Sequence, residues 1–181
     1  MTLSIAQMKI DDDILRNVAK PVQNISSEDI QNLIDSLMST CEKAKGMGIA
    51  APQMFQSKQI FIMSSHPNER YPNAPVMDPV AVINPKITWQ SHDFEKDWEG
   101  CLSVPDIRGL VLRSKAIKVT YTNRYGEKVE AEYHGFLARL FQHEYDHLKG
   151  ILFIDKVLSE ADIITEKEYQ RFSASNLQQN F

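Results

Sequence analysis

At 181 residues, 43% apolar and 24% charged, the chain is sized for one globular domain spanning 1–181 with its own core, and its composition excludes a disordered or fibrous protein. The formal charge of −4 gives no electrostatic case for binding nucleic acid. No apolar run approaches the roughly 18 residues of a membrane span, and residues 1–13 turn acidic without the apolar heart of a signal peptide, so a cytoplasmic protein with no membrane association is expected.

Residues 11–20 read as a short helix or turn that Pro21 ends. Ser26-Ser27-Glu28-Asp29 marks a helix start, with a serine cap and acids in the first turn. Ile30, Leu33, Ile34, Leu37 and Met38 recur at helical spacing, and Cys41 continues that stripe as a small buried hydrophobe. The helix runs to about Lys45 and stops at Gly46, and the small residues of 46–53 follow as a loop. Residues 59–63 form a short strand. The stretch 64–79, with four prolines plus Asn68 and Asn73, reads as an irregular loop. Strands are expected over 81–84, 86–90, 110–112, 116–123 and 128–133, and Asn123-Arg124-Tyr125-Gly126 is the turn joining the last two. Residues 135–148 read as a second long helix closed by Gly150, and 151–154 as a strand. From about 159 the chain becomes a polar, helix-tolerant tail. This pattern predicts an α+β fold, with mixed, mostly antiparallel sheets packed around the second helix.

That helix carries the most informative motif, His143-Glu144-Tyr145-Asp146-His147. One helical turn separates the histidines, about 40° apart around the axis, so both imidazoles reach one metal ion. Glu144 lies beside them, placed to take a proton from a water activated by that ion. The flanking Phe136, Leu137, Leu140 and Phe141 predict burial. A buried His-Glu-His cluster without an ion would cost several kcal/mol in desolvation.

An open catalytic site needs a third protein ligand. No histidine follows His147, and the downstream acids Asp155, Glu160, Asp162, Glu166 and Glu168 sit in no recognisable ligand motif. Cys101, beside Gly100 and away from any apolar stripe, is the better candidate, because two imidazoles and a thiolate suit zinc or ferrous iron. His66, His92 and His134 read as surface residues. Gly46 and Gly48 would let an extended backbone approach closely. Gln53 and the backbone N–H of Leu102 are candidate donors to a developing oxyanion. Taken alone, 46–53 reads rather as a helix C-cap followed by a turn.

Three segments occur in order: Gly46-Met47-Gly48-Ile49-Ala50-Ala51-Pro52-Gln53, Glu99-Gly100-Cys101-Leu102-Ser103 and Gln142-His143-Glu144-Tyr145-Asp146-His147-Leu148. Together they resemble the three motifs of bacterial-type peptide deformylases, and the resemblance extends from residues 13–16 to about Val157. It implies a metal-dependent hydrolase that removes the formyl group from N-formylmethionine on nascent peptides. It implies that Cys101, His143 and His147 bind Fe2+, with Zn2+ or Ni2+ able to substitute, and that Glu144 is the general acid/base. Gln53 and the Leu102 amide would hold the formyl oxygen. The backbone of Gly46, Met47 and Gly48, with that of Glu99 and Gly100, would pair with the peptide like an added strand. Phe136, Arg139 and Leu140 are candidates to line an apolar methionine pocket.

Two features depart from the simplest members. The 64–79 loop lengthens the spacing between the first two motifs, either as a border of the cleft or as a neutral insertion. Some relatives dock on the ribosome through a basic C-terminal helix. Here 160–181 carries four acids against Lys167 and Arg171, which counts against docking through this tail and leaves a transient ribosome contact open. Two other readings remain open on the residues alone. A metallopeptidase cutting internal amides would not need Cys101, and a non-catalytic metal-binding protein would need neither Glu144 nor Gln53.

Overall fold

A computed structural model describes residues 4–178; residues 1–3 and the last three of the tail, which the sequence reading also covers, lie outside the described residues. The strands are β1 (Gly48–Ala50), β2 (Ile60–Met63), β3 (Val80–Gln90), β4 (Phe94–Cys101), β5 (Val104–Ser114), β6 (Ala116–Thr122), β7 (Lys128–His134) and β8 (Ile163–Thr165). The helices are α1 (Asp12–Leu15), α2 (Glu28–Lys43), α3 (Gly135–His147) and α4 (Glu166–Gln178). The architecture is α+β, as expected, with every named strand pair antiparallel. One sheet runs β1-β2-β3-β6-β7 and the other β4-β5-β8.

Strand β2 shows how the larger sheet becomes the centre of the molecule. All four of its residues are buried, and successive side chains of a strand point to opposite faces. Ile60 and Ile62 join Ile34, Leu37 and Cys41 of α2 in one core. Phe61 and Met63 join Ala138 and Phe141 of α3 in another, where Phe61 and Phe141 meet edge to face at 5.1 Å. Each aliphatic or aromatic side chain so enclosed contributes about 1.5–3 kcal/mol. The motif helix α3 is therefore fixed against the sheet along its apolar side. No helix among the described residues is long and apolar enough to cross a membrane.

Several expected boundaries differ. The 46–53 stretch is not simply a loop, since it contains edge strand β1 and then a 3-10 turn over Ala51–Met54. The expected strands 81–84 and 86–90 are one strand with a bulge between Ile83 and Lys86. Pro85 has no N–H to give to a ladder, so it sits where pairing is already broken. Asn84 takes φ +49° there, and its side chain bonds both the N–H and the C=O of Val22. The run 151–154 is not a strand. Leu152 and Phe153 plug a small core with Val104 and Val111, and the Asp155 carboxylate accepts the Leu152 N–H at 2.8 Å to start a 3-10 turn. The expected serine cap on α2 is also not made, because the Ser27 hydroxyl donates to the Asn24 carbonyl instead.

Two strands carry little sequence signal, for a physical reason. β4, Phe-Glu-Lys-Asp-Trp-Glu-Gly-Cys, is mostly exposed and shows no apolar alternation. β5 extends far beyond 110–112, but its buried positions include Arg108, Gly109 and Arg113, which look polar or featureless until their partners are in place. The tail adds β8 to the smaller sheet by pairing with Ile107–Gly109, and then forms α4.

Candidate metal centre

Helix α3 brings His143 and His147 to the same side, with ring centroids 5.1 Å apart and both side chains buried. β4 ends at Cys101 just after a register irregularity against β5, and the thiol lies close to them. One ligand atom each from Cys101, His143 and His147 lies within 4.8 Å of the others, and Cys101 Sγ is 3.3 Å from His147 Nε2. Tetrahedral coordination at ordinary metal–nitrogen and metal–sulfur lengths spaces ligand atoms by about 3.5 Å. The donor set therefore fits one ion. Burial first, then the neighbouring His143 and Arg113, holds His147 well below the ordinary imidazole range, so its ring is neutral and ready as a ligand.

The thiol and one imidazole are each oriented by further groups. The Ser103 N–H donates to Cys101 Sγ at 3.4 Å, and Gln53 Nε2 lies 3.5 Å from it. His143 Nδ1 donates to Glu99 Oε2 at 2.9 Å, leaving Nε2 for the metal. Glu99 also accepts from Arg113 (2.9 and 3.0 Å) and from Arg139 (2.9 Å). Arg113 reaches on to Asp146. Burial alone would raise the Glu99 pKa, but Arg113 and His143 outweigh it and hold the carboxyl far below its usual range. Two acids thus face two arginines in a buried group of four, a balance that offsets their desolvation.

Glu144 is fully enclosed beside β1. A Cβ added to Gly48 would lie 2.4 Å from Glu144 Oε1, so only glycine leaves room for the carboxylate there. Its Oε2 makes no hydrogen bond to the protein. Burial pushes the Glu144 pKa up to about 7, close to where a general base works best. Gln53 is locked in orientation: its Oε1 accepts the Ala50 N–H at 2.8 Å, and its Nε2 donates to Ser103 Oγ at 3.1 Å.

The cleft over these groups is lined on one side by Gly46, Met47, Gly48 and Gln53. The segment from Trp98 to Leu102 lines the other, with Phe136, Arg139, Leu140, His143 and Glu144 from α3. The structure thus brings together all the candidate ligands, Glu144, Gln53, Leu102, the glycine segment and the three proposed pocket residues. Arg139 is there with its guanidinium committed to Glu99 and to the carbonyls of Val111 and Glu95. The 64–79 loop borders the cleft through Arg70 and Tyr71, and Tyr71 packs on Phe136 with ring centroids at 5.2 Å.

Sequence reasoning missed Trp98, Arg70, Tyr71 and the buried role of the Glu99 side chain. The spacing from Glu99 to Cys101, which a strand reads as the same face, was the available signal for the last. Cys41 is core, as expected, and burial followed by Glu144 pushes its thiol up to about 12, so it remains protonated. The downstream acids Asp155, Asp162 and Glu166 are engaged with Arg16, Lys96 and Arg108 rather than with the ligand cluster.

A family model described as polypeptide deformylase matches residues 5–162. Peptide deformylase 2 of Nostoc sp. is 54% identical over 162 residues, covering 90% of each chain. Peptide deformylase 2 of Shewanella oneidensis is 44% identical over 143 residues, covering 79% of this chain and 78% of its own. The crystal structure of Acinetobacter baumannii class I type b peptide deformylase bound to Met-Ala-Ser superposes with a TM-score of 0.83 at 43% identity, covering 87% of this chain and 99% of that one.

Proposed function

The chain belongs to the polypeptide deformylase family, and on that premise we propose how its residues perform the family's reaction. That reaction is the hydrolytic removal of the N-terminal formyl group from N-formylmethionine on newly made polypeptides, releasing formate. Cys101, His143 and His147 hold one divalent metal, Fe2+ as the resident ion, with Zn2+ or Ni2+ able to replace it. The ion supplies Lewis-acid polarisation of the formyl group and a more acidic water.

The chain's own groups do the rest. The peptide lies along the free edge of β1, its backbone meeting Gly46, Met47 and Gly48 on one side and Glu99 and Gly100 on the other. The methionine side chain enters the apolar end of the cleft at Phe136 and Leu140. Gln53 Nε2 and the Leu102 N–H donate to the formyl oxygen as charge develops on it. Glu144, with its pKa raised to about 7, exchanges a proton readily near neutral pH: its carboxylate form takes a proton from the attacking water and returns it to the departing amine. Residues 1–181 act as one catalytic domain, and a nascent-chain substrate places the enzyme in the cytoplasm with at most a transient ribosome contact.

The observation that carries this reading is the unpaired Glu144 carboxylate oxygen beside a closed Cys101–His143–His147 donor set. The decisive experiment is formate release from formyl-Met-Ala-Ser by nickel-loaded or anaerobically iron-loaded protein, beside Glu144→Ala. Rapid release abolished by the substitution supports the reading, and no release from fully metallated wild type sinks it. An internal-amide peptidase would survive Cys101→Ser with metal and activity intact.

A further inference from the structure

Arg108 is the bulkiest of the fully buried side chains, at 1% exposure, and two elements hold its guanidinium. Nε and Nη2 donate to the Glu166 carboxylate at 2.6 and 3.3 Å, and Nη1 donates to the Tyr71 hydroxyl at 2.6 Å. The rings of Tyr169 and Tyr71 lie 4.5 and 5.1 Å from Cζ, within cation–π range. Tyr169 in turn donates to the Arg70 carbonyl at 3.2 Å and meets Trp98 edge to face at 6.1 Å. Glu166 and Tyr169 belong to α4, beyond residue 162, where the family match ends. A segment beyond the family model's match therefore holds a cation that lies inside it.

That cation adjoins the path of the peptide. A Cβ on Gly100 would fall 2.9 Å from Arg108 Cζ, so the guanidinium packs directly against Gly100. The groove leading away from Cys101 and Leu102 is lined by three cations, Lys45, Arg70 and Arg108, and by three acids, Glu69, Asp106 and Glu166. Glu166, paired with Arg108, is what keeps that balance even.

We propose that α4 sets substrate specificity: Glu166 and Tyr169 keep Arg108 buried and neutralised, so that the groove does not select acidic residues downstream of the formylmethionine. This rests on the deformylase reading above. Without Glu166 the groove holds three cations against two acids, and an acidic side chain on the peptide gains an ion-pair partner in Arg108. Tyr169 acts the same way by closing over the guanidinium. Both are positioning residues, since they act through Arg108.

The test uses the full chain carrying Glu166→Ala or, separately, Tyr169→Leu, with kcat/KM measured on formyl-Met-Ala-Ser and formyl-Met-Asp-Glu. Both variants are expected to raise the acidic-to-neutral ratio over wild type by on the order of fivefold at low salt. The gain should appear in KM and fade near 1 M salt, where screening is short-ranged. Glu166→Gln, which keeps an acceptor for Arg108 without the charge, should fall between wild type and Glu166→Ala. A common factor for both peptides in all variants would overturn the inference and leave α4 a structural brace. Absence of formate from the neutral peptide with wild type is a different result, which removes the deformylase reading and the premise of the inference with it.

Discussion

His143 Nδ1 donates to Glu99 Oε2 at 2.9 Å, and this bond ties a candidate metal ligand on α3 to a carboxylate on β4. A carboxylate behind an imidazole fixes the tautomer and raises ligand basicity. Glu99→Gln keeps an acceptor but removes the charge that Arg113 and Arg139 share. Metal affinity is expected to fall about 10- to 100-fold. Stability should fall by several kcal/mol, because buried Arg139 would lose its carboxylate partner and Arg113 would keep only Asp146. Competition with a graded chelator reads the first effect and urea unfolding the second. Unchanged affinity would mean that packing on Phe153, 6.1 Å away ring to ring, holds His143 by itself.

The two cysteines should separate cleanly. Cys101→Ser removes the thiolate and should strip the protein of metal and of activity together. Cys41→Ala empties a space in the core between α2 and the sheet, and should cost about 1–2 kcal/mol in stability while leaving metal content intact. Metal analysis of both purified variants decides the matter. Metal retained in Cys101→Ser would move the third ligand elsewhere.

Legibility in the sequence followed the range of the interactions involved. The two histidines and Glu144 were readable because helix period alone brings His143 and His147 to one side. The strand β2 was readable because all four of its residues are apolar. β4 and most of β5 were not. Their inward positions include Glu99, Arg108 and Arg113, whose burial makes sense only through partners on α3 and α4, far along the chain. The same holds for Tyr71, whose place at the cleft depends on Phe136 and Arg108 rather than on its proline-rich neighbours. Cys101 was singled out by its isolation from any apolar stripe, and the distance to His147 gives that isolation a reason.

Gly48→Ala tests the contact between β1 and the base. The new Cβ would lie 2.4 Å from Glu144 Oε1 and 2.7 Å from its Cδ, so the carboxylate must move. The three atoms nearest that Cβ all belong to Glu144 and none to a metal ligand, so the protein should keep its ion. Since a positioned general base is worth about 10²–10⁴ in rate, kcat should fall by at least about 10² at unchanged metal content. Steady-state kinetics on metal-replete protein checks it, and near-normal turnover would mean that Glu144 works from a second position.

The Glu144 carboxyl should also leave a mark on stability once the metal is stripped. Burial raises its pKa in the folded chain from 4.5 to about 7, whereas the unfolded chain ionises it in the ordinary carboxylate range. The folded state therefore binds this proton more tightly than the unfolded state. The contribution to stability is complete below about pH 4.5 and is lost as pH rises through 7. A shift of that size corresponds to on the order of 3 kcal/mol. Glu144→Gln cannot ionise and escapes the loss. Urea melts of chelator-treated wild type and Glu144→Gln between pH 5 and 8 should show the variant gaining on wild type as pH rises. A difference that stays flat with pH would mean that the carboxylate is already ionised at pH 5, through solvation or a partner gained in the metal-free state, and that its basicity at neutral pH is ordinary.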